Sequence, residues 1–443
     1  MLFRSKQMTT SDKMMRDGSE IGLLPDSNRG IFYGWWIVAS SIVILFASSG
    51  IGFYAHGVIL DPIRAQYGWS KGVVSSAITL YFAASAFAGI FVGQKIDKYG
   101  PKPFLIGGAL VFSLSYFLLS RIDQVWQLFF VYFLVAVGWS GSSLLSVNTL
   151  ITNWFIQKRG LAMSITMTGL SLGGMVLVPL ASYLIVAEGF QTAIISLSVI
   201  YALVIIPCTL FFIKARPSDL NLQPDGVAKE AYVRTDKNSN LKYESQLRTW
   251  TRKEAFATST FWSIVIAFSL ALCVQMAFLV HQVSFLSIYL GKMGAAAAVS
   301  ITAGASIMGR LTLGTFVDRF DKRYTAMICF LAQGLAVLTL AFSQQVAVLY
   351  FCTFLFGLTM GSMLMMLPLI TGECFGMVSF GMISGMIGVF STSGASLGPM
   401  IAGFIFDATQ SYQMAFILFA SFSLVAMLVV NFARPPEKID NRL

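Results

Sequence analysis

One arginine, Arg310, stands inside a long apolar stretch, eight residues before Asp318. On a helix that separation is about 12 Å, too deep for the side chain to reach the aqueous boundary by stretching along the chain. An arginine at the centre of a membrane span costs roughly 2.5 to 3.5 kcal/mol on insertion scales, and it normally faces a partner or a wet cavity. No acidic residue stands near the middle of any other apolar stretch. The natural counter-charge is therefore an anion, above all a carboxylate, which a guanidinium grips with two parallel N–H bonds. Pairing with backbone carbonyls or with a gating carboxylate is the structural alternative.

The chain has two histidines, His56 and His281, each in an apolar stretch. An imidazole titrates near neutral pH and offers one donor and one acceptor, so either ring suits a proton carrier or a polar contact. For His56 packing between helices is the plainer role. Trp139, Ser140, Ser142, Ser143 and Asn148 form one weak polar stripe, and Gln275 and Gln282 another; helix–helix hydrogen bonding is the commoner use of such groups. The candidate binding residues are Arg310, His281, Asn148, Ser306 and Tyr54, with His281 and His56 as candidates for proton coupling. There is no phosphate-cradling glycine loop, no nucleophile elbow and no His/Cys cluster at metal-ligand spacing, which points away from an enzyme and implies neither metal nor cofactor. The five cysteines all fall in or beside apolar segments and read as small apolar residues.

These residues need a frame, and the composition supplies only one kind. With 56% hydrophobic and 11% charged residues, the chain cannot cover a water-soluble surface, for which about 25% charged residues is usual. Apolar runs of about 20 residues, each long enough to cross a bilayer, recur near 32–59, 72–94, 103–120, 125–150, 160–187 and 190–213, and again near 259–290, 294–317, 324–343, 346–370, 379–406 and 412–433. The first run is too long for a signal-peptide core and lacks a small-residue cleavage pattern, so it reads as a retained span. The expectation is an all-α membrane protein of twelve transmembrane helices. Its parts are a tail (1–31), a six-helix bundle (32–213), a polar central loop (214–258), a second six-helix bundle (259–433) and a short tail (434–443).

The net charge of +10 is spread over short loops, which suits a membrane protein better than a nucleic-acid binder. With both termini placed in the cytoplasm, twenty-five of the 30 Lys and Arg residues fall on that side. Arg64, Lys71, Arg121 and Lys292 fall on the other, and Arg310 lies within a span. That bias fits a multi-pass protein with cytoplasmic ends, and the compact loops suit a bacterial inner membrane and a monomer.

The two halves echo each other. Gly93-x-x-x-Asp97-x-x-Gly100-x-Lys102 follows span 2, and Gly314-x-x-x-Asp318, continuing to Asp321 and Arg323, follows span 8. Thr168 to Gly174 in span 5 likewise matches Ser393 to Pro399 in span 11. Internal repeats of six helices are the build of alternating-access transporters, with the solute site between the halves. The glycines suit close helix approach, and the carboxylates, with the basic residues beside them, suit a gate lock. Gly169-x-x-x-Gly173, Gly381-x-x-x-Gly385 and Gly394-x-x-x-Gly398 read as close-packing surfaces by the same reasoning.

The paired motifs resemble the loop signatures of the major facilitator superfamily, and the resemblance spans nearly the whole chain. Tyr33-Gly34-Trp35-Trp36, Asn153-Trp154-Phe155 with Lys158-Arg159-Gly160-Leu161-Ala162, and Gly309-Arg310 look like the monocarboxylate transporter and oxalate/formate antiporter group within it. That resemblance implies secondary transport of small carboxylates by proton symport or anion exchange, with Arg310 as the substrate anchor. The sequence also departs from the group. Ser306 stands where proton-coupled animal members carry an aspartate, and Asp61 where they carry a lysine. Phe390 to Gly394 lacks the span 11 lysine of the oxalate exchanger type. One carboxylate per solute is favoured over a dianion. The rival readings are an exchanger or facilitator of another organic anion, and a membrane carboxylate sensor that moves nothing.

Overall fold

In the computed structural model, which describes residues 32–225, 250–316, 320–376 and 379–436, nearly every element is a helix. Eleven helices are long and apolar enough to cross a bilayer. One of them, Ser259–Phe316, has 58 residues and would be about 87 Å long if straight, far beyond one crossing. It breaks at Gly291, where φ 69 and ψ 171 leave the helical region, a backbone state that a side chain would strain. The break turns one rod into spans 7 and 8, giving twelve crossings.

Span 1 is also composite. Gly34–Ser49 runs into a π-helical turn, Gly50–Tyr54, and continues as His56–Tyr67. It passes beyond the expected end at Ile59, through Asp61, Pro62 and Arg64, because Leu60 and Ile63 remain buried. Spans 2 and 3 are Lys71–Tyr99 and Pro101–Leu119. Span 4 is Val125–Gly141 and Leu144–Trp154, interrupted at Ser142 and Ser143, where the Ser142 hydroxyl meets Gly138 O at 2.9 Å and the Tyr201 hydroxyl at 2.7 Å. Spans 5 and 6 are Arg159–Glu188 and Phe190–Phe212; spans 9 to 12 are Lys322–Phe342, Val346–Phe375, Phe380–Thr409 and Gln413–Val430. Between the halves, the described residues form only the short turns of helix Pro217–Leu220 and Arg252–Phe256.

Large apolar side chains such as Phe91, Leu203, Phe211, Phe351 and Ile328 are exposed around the outside of the bundle. In water such a belt would drive aggregation; against lipid it is what the solvent requires. The protein is an integral multi-pass membrane protein.

Among the described residues the halves meet chiefly along two seams, span 2 against span 11 and span 5 against span 8, and span 1 also packs against span 7, where a Cβ on Gly57 would lie 2.7 Å from Leu279 O. An even number of crossings brings the start of span 1 and the end of span 12 to one membrane face, here the termini face, where Tyr33 donates to Phe212 O at 3.0 Å and Thr260 to Arg434 O at 2.6 Å. At the opposite face the span 2/span 11 seam is tight: a Cβ on Gly72 would come within 2.6 Å of Phe404, and one on Gly403 within 2.9 Å of Lys71 O. Towards the termini face it parts. A Cβ on Gly89, Gly381, Gly385 or Gly388 would meet nothing within 4 Å. Gly394 and Gly398 do pack closely, against Ser269 and Cys273 of span 7, and Gly169 and Gly173 against Ile42 and Phe46 of span 1. The expectation for Gly381 and Gly385 is corrected, because the divergence of the two helices leaves both glycines beside open space.

Candidate solute-binding site

Span 8 presents Ser306 and Arg310 one turn apart, and span 5 presents Met167 and Ser171 at the same interval, whereas Thr302, a turn further along span 8, donates to Gln282 of its own half at 3.3 Å. Residues four apart share a helix face, and the two helices run antiparallel, so the rows meet rung by rung. The Arg310 guanidinium donates through one terminal nitrogen to Met167 O at 3.0 Å, the Ser171 and Ser306 hydroxyls lie 2.8 Å apart, and Ser300 donates to Met175 O at 2.7 Å.

Tyr54 enters this seam from span 1. Its ring occupies the space a Cβ on Gly174 would need, 2.7 Å away, and its hydroxyl interacts with Ser306, Ser171 and the charge of Arg310. The π turn brings it there: Ala55 N bonds to Gly50 O at 3.0 Å, closing a wider ring that re-aims the residues around it. Such turns recur at functional sites.

Arg310 is half-buried. Among the described residues its Nε is buried with no hydrogen-bond partner, and no ion pair involves it. A guanidinium has five N–H donors, and one backbone carbonyl leaves most of this one's capacity unused. Arg310, Tyr54, Ser306 and Ser171 together form a cationic, hydroxyl-rich point between the halves, suited to an oxygen anion.

The remaining expected residues lie elsewhere. Asn148, its Oδ1 buried without a partner, lines a cavity of about 480 Å³ between spans 2, 4 and 11, together with Ser85, Gly89, Trp139, Gly385 and Thr392. Trp139 borders span 1 as well, donating to Ser48 O at 3.0 Å. His56 is fully buried in the first half, its Nε2 3.0 Å from Gly52 O and its ring against Tyr81, Phe82 and Tyr132. His281 is also fully buried, in the opposite-face seam, with Nδ1 3.0 Å from the Tyr412 hydroxyl and Nε2 3.0 Å from Pro399 O and 3.2 Å from Ser75 Oγ. It is not beside Arg310 in this conformation.

At the termini face, Gly100 has φ 80 and ends span 2. A Cβ on Gly93 would find Leu145 at 3.7 Å, an ordinary contact. Lys102 donates to Leu210 O at 3.1 Å, serving the free carbonyls at the end of span 6. Arg323 grips Asp321 through two nitrogens at 3.1 and 2.6 Å, and these bonds hold the Asp321 carboxyl below its ordinary range. Gly314 belongs to the span 8 helix; the side chain of Asp97 and the whole of Asp318 lie outside the described residues.

Lys71, Asp407, Tyr412 and Ser171 were not among the expected site residues. The one signal for Lys71 was its place directly after Ser70, a helix-capping residue type, at the start of a long apolar run.

Residues 42–314 and 284–442 match the family model described as "Major Facilitator Superfamily". The chain is 26% identical over 438 residues to the oxalate:formate antiporter of Oxalobacter formigenes, covering 95% of this chain and 96% of that one. It is 23% identical over 442 residues to monocarboxylate transporter 12 of Rattus norvegicus, covering 92% and 86%. Among solved structures, a point mutant of the nucleoside transporter NupG aligns over 89% of this chain and 99% of its own with TM-score 0.71 at 12% identity. A bacterial homologue of the human lysosomal transporter Spinster, inward-facing and occupied, aligns over 91% and 97% with TM-score 0.67 at 14% identity. At those identities the structures speak for the fold alone. The chain belongs to the major facilitator superfamily, and it is a transporter, not an enzyme.

Proposed function

We propose that the protein is a secondary transporter of small monocarboxylate anions, working by alternating access, with Arg310 as the anchor for the solute carboxylate. The observation that carries this reading is the unused hydrogen-bonding capacity of Arg310 at the seam between the halves. A carboxylate bound there replaces the missing counter-charge, and its second oxygen falls to the hydroxyls of Tyr54 and Ser171, the latter released from Ser306. Neutralising the guanidinium removes a large desolvation cost on closing the halves around it. The names of the relatives, an oxalate:formate antiporter and a monocarboxylate transporter, support the same solute class. Among the described residues Arg310 is the one cation at this site, which favours one carboxylate over two.

Asn148, on the neutral cavity between spans 2, 4 and 11, is a further solute contact in this reading. The tight opposite-face seam and the parted termini-face seam fit one end state of the cycle, with His281 and His56 as proton-coupling candidates and the Gly93–Lys102 and Gly314–Arg323 segments as the gate on the termini face. We place both termini in the cytoplasm and the protein in a bacterial inner membrane, on the charge bias of the loops. Exchange of two carboxylates is the second reading, favoured by the first-named relative.

The test is uptake of radiolabelled lactate, pyruvate, formate and oxalate into proteoliposomes, with and without an inward proton gradient and with and without internal solute. Uptake by the wild type and its loss in Arg310→Gln at unchanged folded yield is the expected result. Absence of carboxylate flux, or normal flux in the variant, rejects the anchor.

A further inference from the structure

The opposite-face end of the span 2/span 11 seam holds charged groups that solute binding does not use. Asp407, at the end of span 11, accepts from Lys71 N at 3.0 Å through one oxygen and from Gly72 N at 2.7 Å through the other. These are free N–H groups at the start of span 2, so the carboxylate of one half caps a helix of the other, where the helix dipole also favours negative charge. The fit leaves no slack: a Cβ on Gly72 would lie 2.8 Å from Asp407 Oδ2.

The Lys71 side chain is 4% exposed, which a lysine tolerates only when paired. Its ammonium donates to the Tyr412 hydroxyl at 3.0 Å, stands 3.4 Å from Asp61 Oδ1, and lies 3.8 Å from the centre of the Phe406 ring. The partners also assign the tautomer of His281: Nε2–H donates to Pro399 O, and Nδ1 accepts from the Tyr412 hydroxyl, which itself accepts from Lys71. The chain Lys71–Tyr412–His281 thus crosses between the halves. The groups facing Asp407 are Lys71 from span 2, Asp61 and Arg64 from span 1, His281 from span 7, and Tyr412 at the start of span 12.

We infer that Asp407, seated on the start of span 2 beside Lys71, is the latch of the opposite-face gate, and that this side opens when the Asp407 carboxylate leaves those two N–H groups. The inference rests on the alternating-access reading but not on the identity of the solute. The ionised carboxylate holds the seam through two charge-assisted bonds. Breaking them leaves the start of span 2 uncapped and removes a carboxylate from beside Lys71, so the closed state loses stability.

The test uses the full chain in liposomes with a cysteine reporter, Thr79→Cys. Thr79 is buried in the seam below the latch and accepts from Met400 N at 3.2 Å. Alkylation by a maleimide is read as the rate above that of protein without the added cysteine. At one fixed pH, Asp407→Asn is expected to raise the rate roughly fivefold or more, the scale of a lost cap. Asp407→Glu, which keeps the charge, should stay nearer the rate of Thr79→Cys alone. An unchanged rate in Asp407→Asn overturns the latch. If that variant does not fold, Gly72→Ala, whose Cβ would crowd the Asp407 carboxylate off its seat, takes its place, and an unchanged rate there overturns the latch. Reporter behaviour as expected without carboxylate flux leaves the latch standing and removes the solute assignment.

Discussion

The hydroxyls of Ser171 and Ser306 lie 2.8 Å apart and join the two halves one turn from Arg310. Ser306 donates to Ala303 O at 2.8 Å, so in this pair Ser171 is the donor and Ser306 the acceptor. The contact is a light one. A neutral hydrogen bond contributes about 1 kcal/mol net, which a solute oxygen can replace, whereas the charged contacts at Asp407 cannot be exchanged so readily.

Arg310→Lys is expected to retain folding and to weaken solute binding. The ammonium keeps the charge and loses the planar fork, and a charge-assisted bond contributes about 1.5 to 3 kcal/mol. The concentration for half-maximal uptake should rise roughly tenfold or more, measured as initial rates in proteoliposomes. An unchanged value would mean that the guanidinium geometry is not used.

Tyr54→Phe removes the hydroxyl that faces Ser306 and Arg310 and leaves the ring against Gly174. Affinity for the solute should fall by about fivefold, the equivalent of one hydrogen bond, with little change in thermal stability. A lower melting temperature at unchanged affinity would assign the hydroxyl to packing instead.

Two glycines should respond oppositely to alanine. A Cβ on Gly361 would strike the Ser306 carbonyl, so Gly361→Ala should cost about 1 to 3 kcal/mol by overpacking, read as a drop in the melting temperature in detergent. Gly385 borders the open cavity, and Gly385→Ala should be neutral or slightly stabilising, since alanine favours the helix by about 1 kcal/mol. A large loss at Gly385 would mean that spans 2 and 11 do not part there.

Asp321 caps span 9 by accepting from Arg323 N at 2.8 Å and pairs with the Arg323 side chain. Its carboxyl is held below the ordinary range, so its contribution is present above the unfolded-state aspartate value of about 3.9 and is lost as pH falls through the lower folded-state value. Asp321→Asn should therefore lower the melting temperature at neutral pH, and the difference from wild type should shrink as the buffer is acidified towards that range. A constant difference across pH would exclude the charge as its source.

The fold was legible because hydropathy is a property of every residue. Each apolar run of about 20 residues has one cheap fate in lipid, and the internal motif repeat paired the halves. The ends of the runs were less legible where burial outweighs charge, as at Asp61 to Tyr67, and the break inside span 4 carries no proline or charge to mark it. Arg310 stood out because a lone charge in an apolar run is costly. Lys71 did not, because a lysine at the end of a run reads as solvated; its burial follows from Asp407 and Tyr412, more than 300 positions along the chain, which no local pattern reports. His281 was visible as a titratable group, but its neighbours Ser75, Pro399 and Tyr412 exist only once the halves meet.

The wide turn at Gly50–Tyr54 has a consequence for how span 1 tolerates change in length. A π turn carries one residue more than the α-helical path through the same rise, so the sequence slips by one position there while the helical segments on either side keep their alignment. Deleting a single residue from this turn would restore a continuous α-helix with both flanks on the faces they hold now. Tyr54, inside the turn, would lose its aim, while His56, Asp61 and Gly34–Ser49 stayed in place. A one-residue deletion here is therefore expected to disturb the solute site alone with no loss of helix, whereas the same deletion in the uniform first half of the span would rotate one side of it against the other by about 100°.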